Sequence, residues 1–233
     1  MKPYEKLASL YQQNWGTFSL GYLKLLDHIS RKFKFYPSTI LDIACGTGNL
    51  LSKLHKQGFK VVGSDISPEM ISVAKIKNPS IEWKIIDMSK LNLKRTFDLI
   101  LCPFDSLNYL LNDKQVDSTF SKVYKHLNKN GFFIFDINTP NLYEAKHHGI
   151  IKREVNGVKF KQILKYDCVK QLASTTFEFG TDENEKHIQK AYPKDGITKK
   201  LIFHKFKILD TYADLKFNKV KKLSERIFFI AQK

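Results

Sequence analysis

Thr39-Ile40-Leu41-Asp42-Ile43-Ala44-Cys45-Gly46-Thr47-Gly48-Asn49-Leu50-Leu51 is the stretch from which the rest of the chain can be read. A β-prone apolar run ends on an acid, breaks into small residues that include Gly46 and Gly48, and resumes as a helix-compatible Asn49-Leu50-Leu51-Ser52-Lys53-Leu54. Glycine lets a backbone turn sharply and come close to a ligand, and the free N–H groups of a first helical turn are donors for polar ligand atoms. A nucleotide-like ligand is therefore expected at this strand, loop and helix start. A P-loop would close on Gly-Lys-Ser/Thr, whereas Gly48 precedes Asn49; a dinucleotide fingerprint would carry a third glycine where Leu51 stands. NTP hydrolysis and NAD binding are both disfavoured. Asp42, four residues before Gly46, would repel a pyrophosphate and suits a cationic group above the loop.

Outward from the loop, Lys60-Val61-Val62-Gly63-Ser64-Asp65 reads as a second strand that also ends on an acid. Ser67 and Pro68 then supply an N-cap and a first helical residue. Asp65 follows Gly46 at the offset of roughly 20 residues from which an acid reaches a ribose diol. A third strand over residues 81–86 runs into Asp87-Met88, and a fourth over 97–102 runs into Pro103-Phe104-Asp105-Ser106-Leu107-Asn108-Tyr109. Residues 113–127 read as a helix closed by Asn128-Lys129-Asn130-Gly131, before a continuous apolar fifth strand over 132–138. This βα alternation defines a doubly wound parallel sheet.

The Asp42-to-Gly48 run resembles the first motif of the class I S-adenosylmethionine-dependent methyltransferases, hydrophobic-Asp-x-Gly-x-Gly-x-Gly, with Ala44 in place of the first glycine. Its Ala-Cys-Gly-Thr-Gly-Asn form resembles the small bacterial enzymes of the type 25 methyltransferase-domain branch, which act on small molecules. The resemblance covers the whole chain and is strongest over residues 37–138. It implies an α/β, Rossmann-like, doubly wound seven-stranded sheet with strand 7 antiparallel, under an N-terminal helical cap. It also implies S-adenosyl-L-methionine as cofactor, with S-adenosyl-L-homocysteine as product. Asp42, Ala44, Cys45, Gly46 and Gly48 would surround that cofactor, with Asp65 on the ribose and Ile66 and Met70 beside the adenine. Asp87 would accept from the adenine amino group next to the Met88 backbone, and Cys102 and Phe104 would border the methyl group. Methyltransferases acting on bases or glutamine amides carry Asn/Asp-Pro-Pro-Tyr/Phe after the fourth strand. Here Cys102-Pro103-Phe104-Asp105 has one proline and no Asn, so base N-methylation is disfavoured.

Residues 1–36 carry apolar positions at helical spacing up to Pro37. Tyr4, Tyr11 and Trp15 offer ring faces and polar edges suited to a sulfonium, and the resemblance makes this segment the cap of the cofactor pocket. After the fifth strand the pattern changes to alternating segments separated by Asn156-Gly157 and Gly180-Thr181-Asp182, which is a small antiparallel β insert. We divide the chain into a cofactor-binding domain, residues 1–145 and 193–233, and an insert, residues 146–192, that forms a lid over the acceptor. Alternation puts Glu185, His187 and Gln189 on one face of the last insert strand. Asp105, His187 and Tyr192 are the acceptor-side candidates. An amine need only be neutral, whereas a hydroxyl wants a general base, for which Asp105 and His187 are placed. A helix over 194–201 and strands over 205–210 and 224–231 complete the sheet.

The chain has 233 residues and a net charge of +16, which raises the question of nucleic acid. Only Arg31, Arg95, Arg153 and Arg226 among its 39 basic residues are arginine, the residue of bidentate phosphate and guanine recognition, so the charge reads as solvated lysine surface. Cys45, Cys102 and Cys168 lack C-x-x-C spacing, so neither zinc nor a disulfide framework is expected. No apolar run approaches the roughly 20 residues of a membrane span. The expectation is a cytoplasmic enzyme, monomer or homodimer, that methylates a small-molecule acceptor at N or O. An RNA methyltransferase and a catalytically silent cofactor-binding regulator are the alternatives.

Overall fold

A computed structural model describes residues 3–14, 18–180 and 183–233; Trp15 lies outside them. The elements in chain order are α1 (Leu7–Asn14), α2 (Gly21–Phe33), β1 (Thr39–Asp42), α3 (Asn49–Lys56), β2 (Lys60–Asp65), α4 (Pro68–Lys77), β3 (Glu82–Ile85), β4 (Phe97–Cys102), α5 (Asp113–His126), β5 (Leu127–Asn138), α6 (Pro140–Lys146), β6 (Gly149–Val155), β7 (Val158–Asp167), β8 (Leu172–Glu178), β9 (Asn184–Lys190), α7 (Lys194–Phe203), β10 (Lys207–Tyr212) and β11 (Arg226–Gln232).

Seven strands form one sheet in the order β3-β2-β1-β4-β5-β11-β10. β1, β2, β3, β4 and β5 run parallel, while β11 is antiparallel to both β5 and β10, so strand 7 is reversed as expected. Strand order reverses between β1 and β4, and ligands of open α/β sheets bind in the crevice beyond the carboxyl ends at such a switch point. Asp42, Asp65 and Cys102 are the last residues of β1, β2 and β4.

Strand alternation sends Leu41, Ile100, Phe133, Phe135 and Phe229 to one face, under Val116, Phe120 and Val123 of α5 and Ile197 and Leu201 of α7. Ile40, Leu99, Leu101 and Ile134 go to the other, under Tyr22, Leu25 and Ile29 of α2 and the leucines of α3. Both faces are covered, which is why residues 132–137 of β5 are apolar apart from Asp136. β5 departs from expectation at its start, because residues 128–131 are extended strand rather than a terminating turn. Leu127 leaves helical geometry to pair with Phe97, and the Asn128 amide donates to Asp98 Oδ1 (2.7 Å), so pairing with β4 begins before the apolar stretch.

β6, β7, β8 and β9 form a separate antiparallel sheet. Its first hairpin turns at Asn156 and Gly157, both at positive φ (50° and 76°), the requirement of a tight primed turn. Val155, Phe160 and Phe177 of this sheet bury Leu7 and Leu10 of α1, so the cap is clamped between the insert and the strand ends. Among the described residues no helix is long and apolar enough to cross a membrane.

Candidate active site

The loop after β1 is held from below by carboxylates. Asp65 Oδ2 accepts from the Gly46 N–H (2.8 Å) and Oδ1 from the Ser67 N–H (2.9 Å), tying the glycine loop to the start of α4. Ser67 Oγ caps α4 by accepting from the Met70 N–H (3.1 Å). Gly46 sits at φ +53°, and a Cβ added there would meet no atom within 4 Å, so its open side faces a cavity. Gly48 is different. At φ +76° a Cβ would come within 2.4 Å of the Trp83 ring, so this glycine serves helix and ring packing and does not line the cavity. Asp42 also lies off the cavity wall. It is 1% exposed, its Oδ1 accepts from the Ala44 N–H (3.0 Å), and it sits behind the loop rather than on the cavity wall. Burial raises its pKa to about 8, opposed by the Ala44 N–H and reinforced by the charge of Asp65.

Above the loop lies a cavity of about 380 Å³, within the range of small-molecule sites. Ala44, Gly46 and Asp65 form its floor. Ile66, Met70, Asp87 and Met88 form one side, Ile66 being 64% exposed and so an apolar rim for a planar group. Tyr4, Tyr11, Phe104 and Tyr109 close the remaining side. These residues fit the cofactor implied by the sequence. Asp65 accepts from the N–H groups of Gly46 and Ser67 and is further stabilised by that of Ile66, and with about four acceptor sites on a carboxylate it keeps capacity for a ribose hydroxyl.

A second cavity, about 140 Å³, lies across that aromatic wall, and Tyr4, Tyr11, Phe104 and Tyr109 line both. Its far side is Asp105 with the inner face of the insert, namely Gln162, Thr175, His187 and Gln189. Asp105 accepts from Arg226 Nη2 (2.8 Å) and from Gln189 Nε2 (2.6 Å). Arg226 also donates to Asp136, which in addition accepts from the Tyr22 hydroxyl and from the N–H groups of Phe104 (2.7 Å) and Asp105 (2.9 Å). Those two N–H bonds hold Phe104 and Asp105 in left-handed backbone (φ 61° and 44°), a geometry costing roughly 1–2 kcal/mol per non-glycine residue. Burial works against the Arg226 charge, and the carboxylates of Asp105 and Asp136 more than offset it.

His187 is 4% exposed between Glu185 Oε1 (2.6 Å from Nε2) and the Tyr109 hydroxyl (2.8 Å from Nδ1). The Tyr109 hydroxyl in turn meets that of Tyr4 at 2.8 Å. Burial holds the phenol pKa of Tyr4, Tyr11 and Tyr109 well above the ordinary value, so these hydroxyls stay protonated.

Three further candidate side chains lie away from the main cavity. Tyr192 lies in the main core with its hydroxyl donating to the Leu110 carbonyl, because it falls beyond β9 and out of phase with His187. The Cys102 side chain, at the end of β4, is fully buried in the same core, and the left-handed backbone at Phe104 beyond the strand is what brings that ring to the cavity. Cys45 lines a separate 40 Å³ recess with Tyr11 and Phe104 instead of the main cavity. Sequence reasoning missed Arg226, Asp136 and the hydrogen-bonded roles of Glu185 and Tyr109. Asp136 left a signal as the one charge within the apolar run of 132–138.

A seven-stranded sheet with one reversed strand, a glycine loop braced by an acid at the end of the next strand, and a cavity at the switch point together define a Rossmann-like methyltransferase. The chain belongs to the S-adenosylmethionine-dependent methyltransferases. A methyltransferase-domain family model matches residues 40–131. A protein of Geobacillus sp. (strain WCH70) that carries a methyltransferase name is 30% identical over 245 residues, covering 94% of this chain and 99% of its own. The crystal structure of an S-adenosylmethionine-dependent methyltransferase from Clostridium acetobutylicum ATCC 824 superposes with a TM-score of 0.82 at 28% identity, covering 98% of both chains. A dTDP-3-amino-3,6-dideoxy-alpha-D-glucopyranose N,N-dimethyltransferase of Streptomyces fradiae is 28% identical over 99 residues, 42% of this chain and 39% of its own.

Proposed function

We propose that the enzyme methylates a nitrogen of a small molecule held in the 140 Å³ cavity, with S-adenosyl-L-methionine in the 380 Å³ cavity beside it. The observation that carries this reading is the shared wall of Tyr4, Tyr11, Phe104 and Tyr109, which puts the two cavities back to back. In it, Gly46 and Ala44 cradle the cofactor, Asp65 takes the ribose, Ile66 and Met70 flank the adenine, and Asp87 and Met88 hold its edge. Residues 146–192 act as the lid of the acceptor site and the remainder as the cofactor domain. When bound, the cofactor supplies an activated methyl group whose bond to sulfur breaks as the acceptor lone pair bonds to carbon. The protein's share is alignment of the two partners.

Nitrogen is favoured because the ring faces of Tyr4, Tyr11 and Phe104 together with the Asp105 carboxylate suit the ammonium that N-methylation forms. The Streptomyces fradiae relative, an N,N-dimethyltransferase of an amino sugar, supports the same class. Asp105, engaged by Arg226 and Gln189, positions the acceptor rather than taking its proton. The test is mass spectrometry with methyl-deuterated cofactor on amino sugars, small amines, their hydroxyl counterparts and RNA. Label on an amine is the expected result. Label only on hydroxyls or RNA, or on nothing while cofactor binds, would overturn the proposal.

A further inference from the structure

We infer that Tyr4, Tyr109 and His187 form a relay for the proton the acceptor gives up, and that Glu185 is the positioning residue that orients the relay and locks it to the closed cap. This rests on the methyl-transfer reading above. The geometry is a chain of four groups with contacts of 2.8 Å (Tyr4 to Tyr109), 2.8 Å (Tyr109 to His187 Nδ1) and 2.6 Å (His187 Nε2 to Glu185). Its first two members, Tyr4 and Tyr109, line both cavities, where the methyl group would cross.

Hydrogen-bond inventory sets the direction. A carboxylate only accepts, so Nε2 of His187 carries the proton it donates to Glu185. In the neutral ring Nδ1 is then an acceptor, so the Tyr109 hydroxyl donates to it, and the Tyr109 oxygen is left to accept from Tyr4. Every hydroxyl thus points towards His187, and the Tyr4 oxygen is the end open to a new proton. When the acceptor nitrogen loses its proton to the Tyr4 oxygen, the Tyr4 proton passes to Tyr109 and the Tyr109 proton to Nδ1. Both phenols end neutral, as their burial demands, and the positive charge lost at sulfur reappears on an imidazolium beside Glu185. Restoring a neutral amine in this way leaves it ready for a second methyl group.

Glu185 couples this chain to the cap. Its carboxylate is fully buried and accepts from the backbone N–H groups of Tyr4 (2.6 Å), Lys6 (2.9 Å) and Leu7 (3.1 Å) as well as from His187. Burial alone would raise its pKa, but the His187 bond and the three N–H donors outweigh it and hold the carboxyl below the ordinary range. Removing the cap would strip Glu185 of those donors and the relay of Tyr4 in one event. The other charged or titratable groups lining the His187 cavity are Asp105, bound to Arg226, and Tyr11. Arg153 donates to the neighbouring Gln162.

The test uses the full chain, and its NMR arm needs no acceptor. NMR of the His187 imidazole should show Nε2 protonated in the neutral ring, and Glu185→Gln should shift the Nε2 resonance, because the charged acceptor of that proton is removed. Glu185→Gln should also speed amide exchange at Tyr4, Lys6 and Leu7, whereas Tyr109→Phe should leave those amides protected yet shift the Nδ1 resonance. With a labelled amine, Tyr109→Phe should lower kcat roughly 10²-fold, the lower end of general-base effects, with KM unchanged. An Nδ1-protonated neutral ring, an Nε2 resonance unmoved by Glu185→Gln, or full kcat in Tyr109→Phe would overturn the relay. Failure of the protein to bind S-adenosylhomocysteine would instead count against the methyl-transfer reading. If Glu185→Gln does not fold, Tyr109→Phe and the wild-type tautomer still decide the matter.

Discussion

At the scale of single residues, the acids near the carboxyl ends of the strands divide the work. Asp65 both braces the loop and borders the cavity, while Asp42 only braces. A carboxyl whose folded pKa is lifted from 3.8 to about 8 keeps a proton that the unfolded chain releases near pH 4. The folded state then binds more protons over that window, so stability is highest below the unfolded pKa and falls as pH rises towards 8, by at most about 1.4 kcal/mol per pH unit for one proton. Asp42→Asn keeps an acceptor for the Ala44 N–H and removes this titration. Urea unfolding across about pH 5 to 8 should give a flatter slope for the variant, and an unchanged slope would show that Asp42 is ionised throughout. Residue roles were legible where they depended on short spacing. The 19-residue separation of Gly46 and Asp65 is an actual hydrogen bond. Arg226 was not legible, because its partner Asp105 lies 121 residues away and nothing local links a strand's first residue to a loop after β4. Tyr192 shows the opposite case, a polar ring read as acceptor-side although it lies an odd number of residues after His187 and beyond β9.

At the scale of elements, the two loop glycines separate packing from binding. Gly48→Ala would press a methyl group onto Trp83 and should destabilise the fold by about 1–3 kcal/mol through overpacking, beyond the strain of a positive φ. Gly46→Ala meets no protein atom and should cost only the left-handed strain of about 1–2 kcal/mol, yet it places its methyl group in the cofactor cavity. Unfolding titrations should therefore rank Gly48→Ala as the less stable, while calorimetry should find the larger loss of S-adenosylhomocysteine affinity per unit of lost stability in Gly46→Ala. The reverse ranking would contradict the assignment. The strands themselves were readable because β1, β4 and β5 are buried on both faces and carry predominantly apolar runs. The true start of β5 was hidden, since Leu127 pairs with Phe97 but residues 128–131 fall in the irregularity before Phe132 pairs with Leu99, and they carry no apolar pattern.

At the scale of the whole molecule, cap, insert and sheet meet around two adjoining cavities, and the insert reaches the cap through Glu185 and through Leu7 and Leu10. The sequence announced a cap and an insert, but their mutual contact joins residues about 180 positions apart and shows only once folded. The central claim is that the 380 Å³ cavity over Gly46 and Asp65 is the cofactor site. Calorimetric titration of S-adenosylhomocysteine into the wild type and Asp65→Ala tests it most directly. The account predicts a single site in the wild type and, in the variant, a loss of about 1.5–3 kcal/mol, roughly 10- to 150-fold, because a charged acceptor of a ribose hydroxyl and of the Gly46 N–H is removed. No binding to the wild type, or equal affinity in Asp65→Ala, would contradict it.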